Sequence, residues 1–301
     1  MSIAMARGEP LPAEVLAPLV DSTGLEDRAE QLRARFASDG YVHIKGFFDH
    51  DDVMAARKAI FERLAEVGEI AQPAIDGIFT GASRRKETVA DLGQFWRSVS
   101  ESWPLRRLSN GIKLHRLMTH LLGEPARAQD YIFLRPAGPG KATHIHCDYP
   151  FFTRATEQVA TAWIALGDVP VELGPLFIVE GSHRFRDVIE AHRGFDISRD
   201  AGRKAAYQAT PLELAREKGA KLLVSDFGAG DIAVFGMFLL HGALDNTSHE
   251  NRVRLSCDVR YQTASADLDP RYFGPNPTGT TGAGYGELVG AKPMTEDWHV
   301  R

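Results

Sequence analysis

Residues 230–262 read GDIAVFGMFLLHGALDNTSHENRVRLSCDVRYQ and decide the fold of this chain. An apolar run ends at His241, turn-forming residues follow, and a second run alternates apolar with polar side chains. Short apolar runs separated by Gly, Asn, Asp and Ser are typical of β-strands joined by short connections. The segment therefore predicts two neighbouring strands, with a histidine at the end of the first.

The same pattern extends toward the N-terminus as far as residue 128. Four further runs are separated by Gly/Pro turns: QDYIFLRPAG (129–138), THIHCDYPFF (143–152), QVATAWIALGDV (158–169) and GPLFIVEGSH (174–183). Several short strands of this kind predict a β-sandwich or barrel rather than a parallel α/β sheet. No strand is followed by a GxGxxG loop, which argues against a nucleotide-binding fold.

The chain is expected to form a single domain, mainly β with flanking helices. We divide it into a weakly structured N-terminal arm (1–24), a helical flank (25–123), a β core (124–262) and a Gly/Pro-rich tail (263–301). Within the flank, the pattern predicts helices over 25–36, 53–67 and 104–122 and a strand over 41–47. The charged insertion 184–223 and the tail from Asp267 are candidate lids, because loops at the mouth of a rigid fold often carry specificity.

Composition limits the possible functions. Of 301 residues, 44% are hydrophobic and 25% charged, with 35 basic and 40 acidic side chains and a net charge of −5. This balance lacks the basic character of a nucleic-acid binder. The two cysteines suit a reducing compartment, and no apolar run approaches the ~20 residues that span a bilayer. We expect a cytoplasmic monomer or homodimer that acts on a small molecule.

His146 and Asp148 are the first residues that indicate a metal-binding site. Residues i and i+2 of a strand point to one face, so the imidazole and the carboxylate lie together and suit Fe(II), Mn or Zn. His241 ends a strand and opens onto a loop. Together the three form the two-histidine, one-carboxylate set that leaves metal positions open in non-heme Fe(II) oxygenases.

An arginine on the following strand is the candidate for binding a carboxylate. Arg252 lies eleven residues after His241 and, on an antiparallel neighbour, sits deeper in the same barrel. A guanidinium there binds a carboxylate with two parallel hydrogen bonds. Arg254 and Arg260 share its alternation, so spacing alone does not choose among the three.

Three segments, HIHCDYPFF, TAWIALGDVPVELGPLFIVEGSHR and HGALDNTSHENRVRLSC, resemble the phytanoyl-CoA dioxygenase (PhyH) family of Fe(II)/2-oxoglutarate oxygenases. The matching region runs from about 128 to 262. The resemblance implies a double-stranded β-helix, the cupin-like jelly roll. It implies an iron site at His146, Asp148 and His241, and 2-oxoglutarate and O2 as co-substrates.

The resemblance also implies several pocket residues. It singles out Arg252 for the distal carboxylate of 2-oxoglutarate, with Thr161 supporting that carboxylate and Trp163 lining the same pocket. Ala243 replaces a serine common in the family, and Thr161 or Ser256 is the candidate to supply the missing hydroxyl. The expected substrate pocket comprises Gln129, Tyr131, Phe133, Thr143, His144 and Phe152.

The expected reaction is hydroxylation of a small metabolite, with release of succinate and CO2. Related halogenases carry a small residue at the position of Asp148, so its carboxylate favours hydroxylation, desaturation or ring chemistry over halogenation. Two alternatives stay open. One is a cupin-type metalloenzyme that uses His144, His146 and His241 without 2-oxoglutarate, and the other is a non-catalytic jelly-roll binding module.

Overall fold

Two β-sheets, in which most strand pairs are antiparallel, form the core of the protein. A computed structural model describes residues 3–200, 202–287 and 289–296. One sheet has the strand order β3-β10-β9-β12-β7; the other has the order β4-β11-β8-β13-β5, and β6 also pairs with β13. The strands are β1 (Met5–Ala6), β2 (Glu9–Pro10), β3 (Leu16–Ala17), β4 (Tyr41–Ile44), β5 (Ala126–Ala128), β6 (Phe133–Ala137), β7 (Thr143–His146), β8 (Val159–Ala165), β9 (Leu176–Val179), β10 (Leu222–Val224), β11 (Ile232–Gly236), β12 (His241–Ala243) and β13 (Arg254–Thr263). This is a jelly roll, as the sequence predicts.

Helices flank the sheets. They are α1 (Ala29–Asp39), α2 (His50–Glu66), α3 (Arg85–Thr88), α4 (Leu92–Ser100), α5 (Trp103–Ser109), α6 (Ile112–Leu122), α7 (Tyr149–Phe152), α8 (Arg186–His192) and α9 (Pro211–Lys218). The Asp49 carboxylate caps α2 by accepting from the backbone N–H groups of Asp51 and Asp52. The Tyr261 hydroxyl of β13 donates to the Ser109 carbonyl of α5, which joins the helical layer to the six-stranded sheet.

Strand register sets the positions of the functional side chains. β12 lies between β7 and β9, and His241 pairs directly with His146. In the other sheet, β13 runs antiparallel to β8, with Arg260 opposite Thr161. Because side chains alternate along a strand, Arg254, Ser256, Asp258 and Arg260 share one face of β13. That face points into the jelly roll, since Arg260 reaches Asp148 there.

Two expectations for the flank and arm are wrong. The N-terminal arm is ordered over its described residues: β3 pairs in parallel with β10, and Leu11 and Leu19 are buried. The helix expected over 104–122 is two helices, because the first ends at Ser109 and Gly111 is the N-cap of the second. Residues 1, 2, 288 and 297–301 of the predicted arm and tail lie outside the described residues.

The charged insertion 184–223 holds two helices, α8 and α9. A capping box explains the second: the Thr210 hydroxyl accepts from the Glu213 backbone, and the Glu213 carboxylate accepts from the Thr210 backbone. Within the described ranges, no helix combines the length and apolar character needed to cross a membrane.

Asn246 holds the connection between β12 and β13. Its buried side-chain amide donates to the carbonyls of Ala137 and Arg252, at 2.8 Å each. These bonds fix the loop against the end of β6 and so set where β13 begins.

We expect Asn246→Ala to lower the free energy of unfolding by about 2 kcal/mol, because two buried carbonyls lose their donor. Urea unfolding measures the loss. Thr247→Ala, next in sequence and half-buried, is the control; it removes one solvent-exposed hydrogen bond to the Glu172 carbonyl and should cost less than half as much. Equal losses in the two variants would show that the amide does not hold the loop.

Candidate metal centre

Three side chains from two adjacent strands converge at one end of the jelly roll. His146 ends β7, Asp148 follows it, and His241 begins β12 rather than ending a strand as predicted, because β11 already stops at Gly236. The Asp148 Oδ1 lies 3.8 Å from His146 Nε2 and 4.0 Å from His241 Nε2. One ligand atom from each residue lies within 4.8 Å of the others, which is a spacing that suits a single metal ion.

Hydrogen bonds set the tautomer of both histidines. The Nδ1–H of His146 donates to the His144 carbonyl at 2.8 Å, and that of His241 donates to the Leu239 carbonyl at 3.0 Å. Each ring therefore presents an unprotonated Nε2 toward Asp148. Backbone bonds of this kind orient metal-binding imidazoles, so the donor set fits a divalent ion.

Asp148 stays ionised although it is buried. Burial by itself raises its pKa, but the Arg260 guanidinium, the two imidazoles and the Thr161 hydroxyl together hold that pKa well below its usual range. The carboxylate is therefore a charged ligand at neutral pH. This fits a centre in which one anionic oxygen binds beside two neutral nitrogens.

Burial lowers the pKa of His146 to about 3, with a smaller contribution from neighbouring His241. Burial also lowers the pKa of His241. Both rings are thus neutral in the folded protein at physiological pH, which is the form that binds metal.

The metal-free protein should lose stability as the pH falls below about 6.5. At such pH values His146 becomes protonated in the unfolded chain but stays neutral in the folded protein, where its pKa is lower. From pH 7 to pH 4 we expect this residue to account for about 3 kcal/mol of the loss. Urea unfolding of chelator-treated protein at several pH values measures it. His146→Asn should make the free energy of unfolding less dependent on pH. The control His50→Asn, at an exposed position, should leave the pH dependence unchanged. Parallel curves for the parent protein and His146→Asn would contradict the lowered pKa of His146.

Arg252 does not sit deeper in the barrel as expected. Its side chain is 53% exposed and pairs with Glu250, Nε to Oε2 at 2.7 Å. The strand that carries His241 and the arginine strand are not the expected antiparallel neighbours, because β12 and β13 lie in different sheets. In addition, β13 begins only at Arg254, and Arg252 makes an isolated bridge with Ile78 before the strand.

Arg254 occupies the buried position instead. It is 1% exposed, and its Nη1 donates to the Ser256 hydroxyl at 2.8 Å. Its Nε and Nη2 are buried and have no hydrogen-bond partner. Burial, and then the Arg135 charge, lower its pKa to about 10, so it stays cationic at neutral pH. This free edge of the guanidinium is the edge with which arginine binds a carboxylate through two hydrogen bonds.

Thr161 and Trp163 both face the interior, as their alternation predicts. The Thr161 hydroxyl donates its proton to Asp148 Oδ2 at 2.5 Å, so that proton is not available to a co-substrate carboxylate. The Trp163 ring packs against Phe227, with ring centroids 4.7 Å apart. Its contribution to a co-substrate pocket stays a prediction.

The expected substrate residues fall into two groups. Tyr131, Phe133 and Phe152 join an aromatic cluster with Tyr272 beside Arg260. Gln129 is fully buried next to them, and neither its amide oxygen nor its amide nitrogen has a partner. Unpaired buried amides are costly, so this one marks a position for a polar ligand or water.

Thr143 and His144 lie on β7 beyond the metal end. Thr143 pairs with Ala243, and His144 is outside the metal cluster. Burial and the neighbouring Arg7 charge lower the pKa of His144. The cupin-type alternative, which needs this ring as a ligand, gains no support from the geometry.

A family model for phytanoyl-CoA dioxygenase (PhyH) matches residues 36–254, which include the three ligand candidates. The chain belongs to the PhyH family. A comparison with curated proteins returns no match.

Solved structures agree with this PhyH membership. The chain is similar to the epimerase SnoN in complex with Fe³⁺, α-ketoglutarate and nogalamycin RO: 25% identity, 81% of this chain, 87% of that chain, TM-score 0.56. It is also similar to the α-ketoglutarate-dependent carbocyclase SnoK from nogalamycin biosynthesis: 26% identity, 83% and 90% coverage, TM-score 0.53. EctD from S. alaskensis, solved with 2-oxoglutarate and 5-hydroxyectoine, shares the fold at 18% identity, with 92% and 88% coverage and a TM-score of 0.54.

Both cysteines of this PhyH protein are buried free thiols. Cys147 stands between two ligand candidates but points away from them, and burial raises its pKa to about 12. Burial also raises the pKa of Cys257 above its usual range. Neither thiol offers a thiolate to the metal centre at neutral pH.

Removing either imidazole should severely weaken metal binding. We expect His146→Ala and His241→Ala to weaken Co(II) binding by on the order of a hundredfold or more, since even outer partners of ligands cost tenfold to a hundredfold. Anaerobic titration followed by absorption measures the affinity. His144→Ala is the matched control, and a loss in this variant equal to that in the other two would favour the cupin-type ligand set.

Proposed function

We propose that this chain is an Fe(II)- and 2-oxoglutarate-dependent oxygenase that hydroxylates a small organic molecule. One observation carries the proposal: a two-histidine, one-carboxylate cluster shares the interior of the jelly roll with a buried arginine whose carboxylate-binding edge is free. Membership in the PhyH family and the ligands named for SnoN support it.

Iron would be held by His146, Asp148 and His241. When bound with 2-oxoglutarate and O2, it supplies the oxidant for a substrate C–H bond, with succinate and CO2 as co-products. The protein's own residues keep the imidazoles neutral, keep Asp148 charged and exclude water from the interior. These tasks follow from the burial and hydrogen bonds described above.

Arg254 is our candidate for the distal carboxylate of 2-oxoglutarate, in place of Arg252. The inner face of the sheet carries three arginines. Arg135 pairs with Asp258, and Arg260 pairs with Asp148. Arg254 forms no ion pair within the described residues, and a dianionic co-substrate would neutralise its charge.

Ser256 takes the place of the missing hydroxyl at Ala243. Its oxygen accepts from Arg254 Nη1, which leaves its own proton free to donate to the same carboxylate. Of the two candidates from sequence, Thr161 already donates to Asp148, so Ser256 is the one we favour.

Hydroxylation is the reaction we favour over halogenation. The Asp148 carboxylate lies within reach of both imidazoles and so fills the position that a halide would need. SnoN is an epimerase and SnoK a carbocyclase, so the product assay must be open to other outcomes. Mass spectrometry of candidate metabolites should therefore follow gain of one oxygen atom, loss of two hydrogen atoms and unchanged mass.

Arg254→Met should weaken 2-oxoglutarate binding by roughly thirtyfold to several-thousandfold, because truncating a buried guanidinium–carboxylate pair costs about 2–5 kcal/mol. Anaerobic titration of the Fe(II) protein, followed by the metal-to-ligand charge-transfer band, measures the affinity. Arg252→Gln is the matched control, since that side chain is exposed and paired with Glu250. If only Arg252→Gln loses affinity for 2-oxoglutarate, Arg252 rather than Arg254 binds the carboxylate. Absence of the charge-transfer band in the parent protein would overturn the proposed function.

A further inference from the structure

The two oxygens of Asp148 have different surroundings. Oδ1 faces the Nε2 atoms of His146 and His241. Oδ2 accepts two hydrogen bonds, from Thr161 Oγ1 at 2.5 Å and from Arg260 Nη2 at 3.0 Å. Thr161 and Arg260 therefore hold the carboxylate through Oδ2, whereas Oδ1 faces the metal position.

Arg260 is itself fixed in place. Its Nε donates to Thr161 Oγ1 at 3.2 Å, so guanidinium, hydroxyl and carboxylate form one closed set. Its planar head packs against two aromatic rings, 4.6 Å from the centroid of Phe133 and 4.1 Å from that of Phe152. The side chain is almost fully buried and cannot swing away from Asp148 without breaking all of these contacts.

We infer that Arg260, acting with Thr161, is a positioning residue that keeps Asp148 a one-oxygen ligand. The inference rests on the proposed function. A carboxylate binds a metal through one oxygen or through both, and the second mode takes one more coordination position. With two donors on Oδ2, that oxygen is not free to turn toward the metal.

This restraint matters because it determines how many coordination positions of the metal ion stay free. Two histidines and one carboxylate oxygen leave three positions of an octahedral ion, and the proposed reaction needs two for 2-oxoglutarate and one for O2. A carboxylate bound through both oxygens would leave only two. Arg260 and Thr161 thus preserve the position that O2 requires.

The charges agree with this arrangement. Arg260 neutralises Asp148, and the two imidazoles are neutral, so the ligand set and its support carry no net charge. A divalent metal and the Arg254 guanidinium then bring three positive charges to the buried site, and the dianionic co-substrate balances two of them. No further counter-charge is needed around Asp148.

The test uses nitric oxide as a probe of the position left for O2. Anaerobic Fe(II) protein is saturated with 2-oxoglutarate, the charge-transfer band confirms the chelate, and nitric oxide is titrated with detection by electron paramagnetic resonance. We expect Arg260→Met and Thr161→Val to keep the chelate band and to bind nitric oxide about tenfold more weakly or worse, because Asp148 Oδ2 must first be displaced. Arg260→Lys should recover part of the affinity, since it restores the charge and one donor without the planar fork.

Arg252→Gln is the matched control and should behave like the parent protein. Unchanged nitric oxide affinity in Thr161→Val and Arg260→Met, with the chelate band intact, would overturn the inference and leave the proposed function standing. If Arg260→Met does not fold, Thr161→Val decides, because it removes one donor and keeps the side-chain shape. Failure of the parent protein to form the chelate band would instead overturn the proposed function itself.

Discussion

The antiparallel pairing of β12 with β7 is the constraint on which the site depends. It sets His241 opposite His146, and their ring centroids lie 4.3 Å apart. A shift of one residue in either strand would turn one imidazole to the opposite face of the sheet. The register is protected on both sides, because β12 also pairs with β9, and Asn246 anchors the loop that follows.

Charge inside the jelly roll follows from this geometry. A buried carboxylate between two buried imidazoles is costly unless a cation compensates it, and Arg260 provides that cation. Arg135 and Asp258 form a second closed pair on the same inner face. Arg254 differs from these two arginines, because it has no carboxylate partner among the described residues and its Nε and Nη2 make no hydrogen bond.

Much of this arrangement follows from local sequence rules. Turn residues and short apolar runs predict the jelly-roll strands, and alternation places His146 and Asp148 on one face. The arginine could not be chosen in this way, because Arg252, Arg254 and Arg260 have the same parity. Their difference lies in where pairing with β6 starts, at Arg254 opposite Ala137, and this depends on the length of a loop that no periodicity records.

The partners of Asp148 were hidden from the sequence for a related reason. Arg260 and Thr161 are 99 residues apart and meet only because β13 pairs with β8. The ordered N-terminal arm is a similar case, since β3 acquires its structure by pairing with the distant β10. Contacts between remote strands determine these features and also bring His241 to His146, whereas spacing within one segment places only His146 and Asp148 together.

Because Cys147 is buried between two metal-ligand candidates, the reactivity of its thiol reports local opening of the segment that carries them. Its thiol is inaccessible and protonated in the folded protein, so alkylating reagents cannot reach or activate it there. Modification requires a local opening of the segment between His146 and Asp148, which has its own free energy. The alkylation rate of this one sulfur therefore measures how often the metal-binding segment opens, and ligands that tighten the centre should slow it in proportion to their affinity.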